Sequence, residues 1–430
     1  MKHFRSNLFA LCLFLCPAVS EAQTEIFTTP TVEAIPYRIP AIATTRGGDL
    51  VAVGDYRYCR ADIGAGRIDL HFRRSSDNGK TWGDIHVPPT MQGDGDLTPG
   101  HEEAGYGDAA IVADRGSRRM MLLSCSGGPL FGRSTEQHHQ GMARFYSDDE
   151  GKTWSKPTYI GEETIYRPLA QSQYGSIWAW FVGSGRILQS RYVKTGKYYR
   201  LYCAGVSRNG KENANWVIYS DDFGETWDVL GGCDASPIPG GDEPKCEELP
   251  DGSLLLSSRA WGGRYYNIFR FTEEKTATGA WGKRAFSGKD NGGVEARQNA
   301  CNGELMVVPV TRRADRKRMY LLLQSLPLGP GRSNVGIYYK ELASPADYAT
   351  PEAVAANWTG CYPVTTLPSA YSTMTLQADH AIGFFYEEET HCGTSGGGYT
   401  LMYRRLPVEQ ITDGKYDFTK KSVGPRKVRF

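Results

Sequence analysis

Several patterns in this chain are built from residues that could do chemistry. An acidic frame, Ser-x-Asp-x-Gly-x-Thr-Trp, occurs three times: SSDNGKTW from Ser75, SDDEGKTW from Ser147 and SDDFGETW from Ser220. Its carboxylates raise the question of a calcium loop, but the alternating Asp/Asn ligands and distal Glu of such a loop are missing. Gly393-Thr-Ser395-Gly-Gly397 spells G-x-S-x-G. It lies in a glycine-rich stretch without the strand-to-helix context that exposes a nucleophilic serine. His138-His139 has no acidic or cysteine partner in phase and reads as an exposed pair, not a metal site. Past residue 22 the cysteines are Cys59, Cys125, Cys203, Cys233, Cys246, Cys301, Cys361 and Cys392, with no CxxC or CxxH spacing. That argues against zinc, and it assigns no disulfide pairing.

Other stretches occur once each. IPYRIPAI surrounds Arg38, RYCRAD runs from Arg57 to Asp62, and GDAAIV contains Asp108. DEPK holds Asp242 and Glu243, and ELPDGSLLLSSR ends at Arg259. GRSNVGIY contains Arg332, SAYSTM contains Tyr371, and IGFFYE ends at Glu387. Arginine offers a planar fork that binds carboxylates in bidentate fashion and stays charged at any working pH. Aspartate, glutamate and tyrosine supply proton transfer and nucleophiles. Spread from Arg38 to Glu387, such residues can act together only if distant segments converge.

The elements available to gather them are strands. Fifty glycines and 12% aromatic residues suit many short strands joined by tight turns. Runs of strand character recur at 49–54, 68–73, 120–124, 198–203, 216–220, 253–258, 305–310, 320–324, 335–339, 381–386 and 400–404. The best helical candidate, 345–357, is short. The box aspartates Asp77, Asp149 and Asp222 are 72 and 73 residues apart, a regular period for one supersecondary unit. Setting aside the first 22 of 430 residues leaves 408, or 68 for each of six units, enough for a four-stranded propeller blade with sizeable loops. Each box follows a strand and is expected on a hairpin turn. There the Asp accepts backbone N–H bonds, the Gly takes positive φ, and the Trp packs back on the blade. Degenerate relatives end at Trp281 and Trp358. The expectation is an all-β chain, a six-bladed propeller of four-stranded antiparallel blades, in one domain over 23–430.

The frame is the Asp box, and the single stretches, in order, resemble those of bacterial-type exo-α-sialidases across most of the chain. The resemblance implies that Arg38, Arg259 and Arg332 hold the carboxylate of a sialic acid, with Glu387 bracing Arg38. It implies Tyr371 as nucleophile, Glu243 as its base, and an acid/base aspartate between the first arginine and the first box. Asp62 fits that place best, and Asp69 is its rival inside a strand. Arg57 is similar to a residue near the sugar's 4-hydroxyl and Asp108 to a second pocket aspartate. The 131–141 loop and the 178–189 stretch are placed on the aglycone side by position alone. A tyrosine suits this chemistry because an ionised carboxylate attacking a carbon that already bears one meets like-charge repulsion. With an unperturbed pKa near ~10, the phenol needs a neighbouring base.

The resemblance implies a retaining hydrolase of terminal sialic acids on glycoconjugates, with no cofactor and no metal. Transfer to another sugar or to the same molecule uses the same residues and stays open. So do a related acidic keto-sugar as substrate and a non-catalytic Asp-box propeller that binds sialoglycans. A net charge of +1, from 49 basic and 48 acidic residues, argues against nucleic acid as the main partner. Residues 1–22 read as a signal peptide: a basic start, an apolar run from Leu8 to Cys16, and a small-x-small site at Ser20-Glu21-Ala22. The mature chain is expected to be exported (periplasmic, cell-surface or extracellular), monomeric and without stable membrane insertion.

Overall fold

The aliphatic and aromatic runs become strands because branched and ring side chains pack well on a pleated surface, and glycines end them. The computed structural model describes residues 23–389 and 398–420. The expected signal peptide at 1–22, Cys392 and the G-x-S-x-G stretch lie outside the described residues. Six sheets form the six blades of a propeller. Blade 1 holds Tyr37–Thr44, Leu50–Tyr56 and Asp69–Ser75. Blade 2 holds Tyr106–Ala113, Met120–Ser126, Gly141–Ser147 and Thr158–Tyr159. Blade 3 holds Leu188–Lys194, Tyr199–Arg208, Asn213–Ser220 and Asp228–Val229. Blade 4 holds Pro244–Glu248, Leu254–Ala260, Gly263–Glu273 and Thr278–Trp281. Blade 5 holds Leu305–Arg312, Arg318–Pro327, Val335–Leu342 and Gly360–Pro363.

Blade 6 closes the ring. Its strands Ser369–Leu376, Ile382–Glu388 and Thr400–Leu406 are completed on the outside by Thr24–Phe27, from the other end of the described chain. The apolar core is divided into seams between neighbouring blades. Successive residues of one strand serve different seams, because β side chains alternate. Met120 and Leu122 pack against blade 1, while Met121 and Leu123 pack against blade 3. Strands between two seams are buried on both faces, which is why Met120–Ser126 is buried throughout.

Two expectations need correction. Blade 1 has three strands, and its expected fourth is reduced to a single bridge between Phe72 and His86. The segment runs straight into Pro88-Pro89, which offer no N–H to extend a ladder. The helix expected over 345–357 is split into a 3₁₀ turn, Pro345–Tyr348, and a short α-helix, Pro351–Ala355. Pro351 disfavours helical geometry in the residue before it, and Thr350 instead caps the second piece.

The three boxes share one geometry. Asp77 accepts the N–H and hydroxyl of Thr81 at 2.9 and 2.6 Å, and Ser75 Oγ accepts the Gly79 N–H at 2.8 Å. Asp149 and Asp222 repeat these bonds with Thr153 and Thr226. Gly79, Gly151 and Gly224 all have φ between 81° and 87°. At Gly224 a Cβ would also lie 2.1 Å from Met121 Sδ. The carboxylates are occupied by their own turns, and the boxes pin hairpins at the outer part of blades 1 to 3.

Candidate active site

The innermost strands of the blades start at one end of the central channel, and the residues singled out from the sequence lie there. Three of these strands break register at that end: between Arg38 and Ala41, Gly107 and Ala110, and Ser369 and Ser372. Such bulges bend a strand and re-aim its side chains. Ile39 and Asp108 sit inside two of them with φ of 55° and 53°. For a β-branched residue such as Ile39 that conformation is strained, and strain of this kind gathers at functional sites.

Glu387, fully buried, holds two of these strands together. It accepts Arg38 Nε at 2.7 Å, the Ile39 N–H at 2.8 Å and the Tyr371 N–H at 3.1 Å. Burial works against the Arg38 charge, but Glu387 more than offsets it, and the net shift is upward. Arg259 donates to Glu243 Oε2 at 2.9 Å and to the Tyr371 hydroxyl at 3.3 Å, and pairs with Asp242 at 3.3 Å. The Tyr371 hydroxyl donates to Glu243 Oε1 at 2.5 Å. Arg38 and Arg332 both stand 5.7 Å from the Tyr371 ring centroid. Arg332 forms no ion pair among the described residues. Three guanidinium groups therefore surround one phenol, and one of them is not neutralised by a neighbouring carboxylate. Burial and the Glu243 charge push the Tyr371 pKa well above its usual value, so the resting phenol keeps its proton on the bond to Glu243.

Arg57 is the hub of a second cluster. Its side chain, 3% exposed, bonds Asp62, Asp55 at 3.0 Å and Asp108 at 3.1 Å. Asp55 also accepts the Asp108 N–H at 3.1 Å, fixing the second bulge. Burial and the crowding of Asp55, Asp62 and Glu243 raise the Asp108 pKa in spite of Arg57. Asp62 differs. Its side chain is 78% exposed, and the pull of Arg57 outweighs partial burial, so its pKa is lowered.

Together these residues line a cavity of about 650 Å³ that includes Arg38, Arg57, Asp62, Asp108, Glu243, Arg259, Arg332 and Tyr371, with Glu387 behind Arg38. Asp69, the rival of Asp62, is buried outside the cavity lining, holding Arg67 at 2.8 Å and the Gly93 N–H at 3.0 Å. From the loops placed by position, Phe131, Arg133, Gln140 and Phe181 reach the cavity. The histidine pair does not. Both rings are half-buried, contrary to the expected exposure, and His139 stacks on Tyr166 with centroids 3.7 Å apart. Sequence reasoning missed Asp55, which directly follows the 49–54 run and lies within the observed strand Leu50–Tyr56. It also missed Tyr399, whose ring lies 5.0 Å from Arg38. Neither carries a motif: Asp55 joins the Arg57 cluster and reaches Asp108 on the next blade, and Tyr399 meets Arg38 from the far end of the chain.

Fold and boxes define a class of architecture, a six-bladed Asp-box propeller, and the proteins this chain is similar to include sialidases. The BNR/Asp-box repeat model matches residues 145–156 and 218–229, the second and third boxes. The chain is 29% identical over 235 residues to a sialidase of Paraclostridium sordellii, covering 53% of this chain and 54% of that protein. It is 30% identical over 244 residues to a sialidase of Micromonospora viridifaciens, covering 52% and 32%. The matches thus span about half or less of these curated relatives. Among solved structures, an intramolecular trans-sialidase from Ruminococcus gnavus aligns with a TM-score of 0.65 at 19% identity, covering 90% of this chain and 96% of that one. A Hadza microbial sialidase aligns at 0.64 and 20%, covering 87% and 66%.

Proposed function

We propose that this chain is a retaining exo-α-sialidase that removes terminal α-linked sialic acids from glycoconjugates outside the cytoplasm. The observation that carries the reading is the Tyr371–Glu243 bond at 2.5 Å, set among three arginines of which Arg332 has no paired carboxylate among the described residues. A substrate carboxylate on the anomeric carbon supplies the missing anion and brings that carbon to the phenol. Glu243 takes the phenolic proton as Tyr371 Oη attacks, and Asp62 protonates the departing glycosidic oxygen. Asp62, exposed at the rim, can then deprotonate the water that breaks the tyrosyl–sugar bond. Arg57 and Asp108 hold hydroxyls on the far side of the ring. Proton transfer and covalent catalysis suffice, so no cofactor or metal enters the scheme. The chain is taken to act as an exported monomer.

Purified protein should release free sialic acid from an aryl sialoside. Tyr371→Phe should lower kcat/KM by roughly a hundredfold or more. Undiminished activity in that variant would exclude the tyrosyl route. Mass analysis of the product separates hydrolysis from transfer and from an anhydro sugar.

A further inference from the structure

The Asp62 carboxylate has one bonded partner among the described residues, Arg57, and its side chain is 78% exposed. The residues that follow it are held more tightly. Gln140, buried, donates from Nε2 to the Ile63 carbonyl at 3.0 Å. Gly64 has φ of 93°, and a Cβ there would lie 2.2 Å from the Pro129 carbonyl carbon. Both contacts come from one strap, residues 127–140, which joins Met120–Ser126 to Gly141–Ser147 in blade 2. The strap closes on itself as an Ω-loop does. At Gly128, with φ of 69°, a Cβ would lie 2.6 Å from the His139 carbonyl oxygen. It is also clamped from blade 3. Arg208, the last residue of Tyr199–Arg208, donates to the Phe131 carbonyl at 2.9 and 3.1 Å and to the Ser134 carbonyl at 2.6 Å. The same guanidinium lies 5.8 Å from the Phe131 ring centroid and 5.5 Å from that of Trp178.

We infer that Arg208 is a positioning residue for the acid/base: by clamping the strap, it fixes where the Asp62 carboxylate stands over the cavity. The inference rests on the sialidase reading and on Asp62 as its proton donor. Arg208 lies outside the cavity lining and acts through the strap, which bears on Ile63 and Gly64. Proton transfer requires hydrogen-bond reach, about 3 Å, and one ion pair on an exposed loop does little to set that distance. Hydrogen bonds from a charged donor are about twice as strong as neutral ones, so the three from Arg208 give the strap a firm seat. At Gly64 the two backbones are too close for a side chain between them, and a shift of the strap passes directly to the residue two positions from Asp62. Tyr371, Glu243 and the three arginines belong to blades 1, 4, 5 and 6. A loosened strap therefore weakens proton donation more than nucleophilic attack.

The test uses two aryl α-sialosides of similar size, 4-nitrophenyl and 4-methylphenyl. The nitrophenolate departs with little help, whereas the more basic cresolate needs a proton. In the retaining scheme kcat/KM reports events up to that departure. Asp62→Asn should widen the gap between the two substrates, which checks the donor. Arg208→Met keeps the stem and removes the donors. It should lower kcat/KM for the 4-methylphenyl sialoside by roughly tenfold or more, and for the 4-nitrophenyl sialoside by less than about threefold. Arg208→Lys, which keeps a charge and a donor, should show the same bias to a smaller degree. The ratio of the two substrates in one preparation does not depend on how much of it is folded, so a destabilised variant still answers. If Asp62→Asn widens the gap and neither Arg208 variant changes the ratio, the inference is overturned. An unchanged ratio in Asp62→Asn removes Asp62 as the donor, and no turnover of either substrate by the unmodified protein removes the sialidase reading. The positioning role falls with either.

Discussion

Asp62 and Asp108 are bonded to one arginine yet shifted in opposite directions. Asp62, exposed and drawn down by Arg57, is ionised at neutral pH. A general acid in that state works only on its small protonated fraction, which shrinks as pH rises. For a glycoside with a poor leaving group, kcat/KM should fall as pH rises from the carboxylate range toward neutrality. For α-sialosyl fluoride, which needs no protonation, the fall should be absent. Identical profiles for the two substrates would remove Asp62 from the acid role. Glu387 acts differently, through position and charge. Glu387→Gln keeps the shape but removes the anion facing Arg38, so kcat/KM should fall by roughly tenfold to a hundredfold, consistent with breaking a buried ion pair. Direct assay decides it, and an unchanged value would make Glu387 a structural strut alone.

At the scale of elements, the Asp box is a self-contained device whose stability depends on charge. Turn donors hold the pKa of Asp77 and of Asp149 down to about 2. The folded state therefore prefers the ionised form. That contribution is fully present above the usual carboxylate pKa and is lost as pH falls through about 2. An Asp77→Asn/Asp149→Asn variant should melt below the parent at pH 6, and the difference should narrow at pH 3. A constant difference would mean that shape, not charge, is what the box uses. Gly224→Ala asks the backbone question. With φ of 87° and Met121 Sδ in the way, it should cost about 1–3 kcal/mol in denaturant unfolding.

For the whole molecule, the decisive contact is the one that closes the ring. Phe27 is fully buried in the seam between blades 6 and 1, 5.0 Å from the Tyr37 ring and 6.3 Å from that of Phe385. Phe27→Ala should cost about 3–5 kcal/mol, measured by chemical denaturation. Because Tyr37 adjoins Arg38 and Phe385 lies two residues before Glu387, activity should fall before global unfolding. A loss below about 1 kcal/mol would show that closure depends little on this strand.

The sequence by itself determined the middle strand of each blade, the repeat and the order of the site stretches. The middle strands, such as 120–124 and 320–324, were legible because two apolar seams make them continuously hydrophobic. The boxes were legible because their chemistry is local, complete within eight residues. The innermost strands were much less so: 37–44, 106–113, 188–194, 244–248 and 369–376 were not marked as strands. They face the channel and the site, where Glu243, Lys245, Glu247 and Thr373 meet polar partners, and this masks apolar alternation. Only the tertiary structure put Asp62 in the cavity lining and Asp69 outside it, brought Asp55 against Arg57 and Tyr399 against Arg38, and left Arg332 without an ion pair among the described residues. The cavity, the Asp55–Asp108 bond and the Tyr399–Arg38 contact depend on distances between different blades. Such distances are set by seam packing and ring closure, and no local stretch of sequence encodes them.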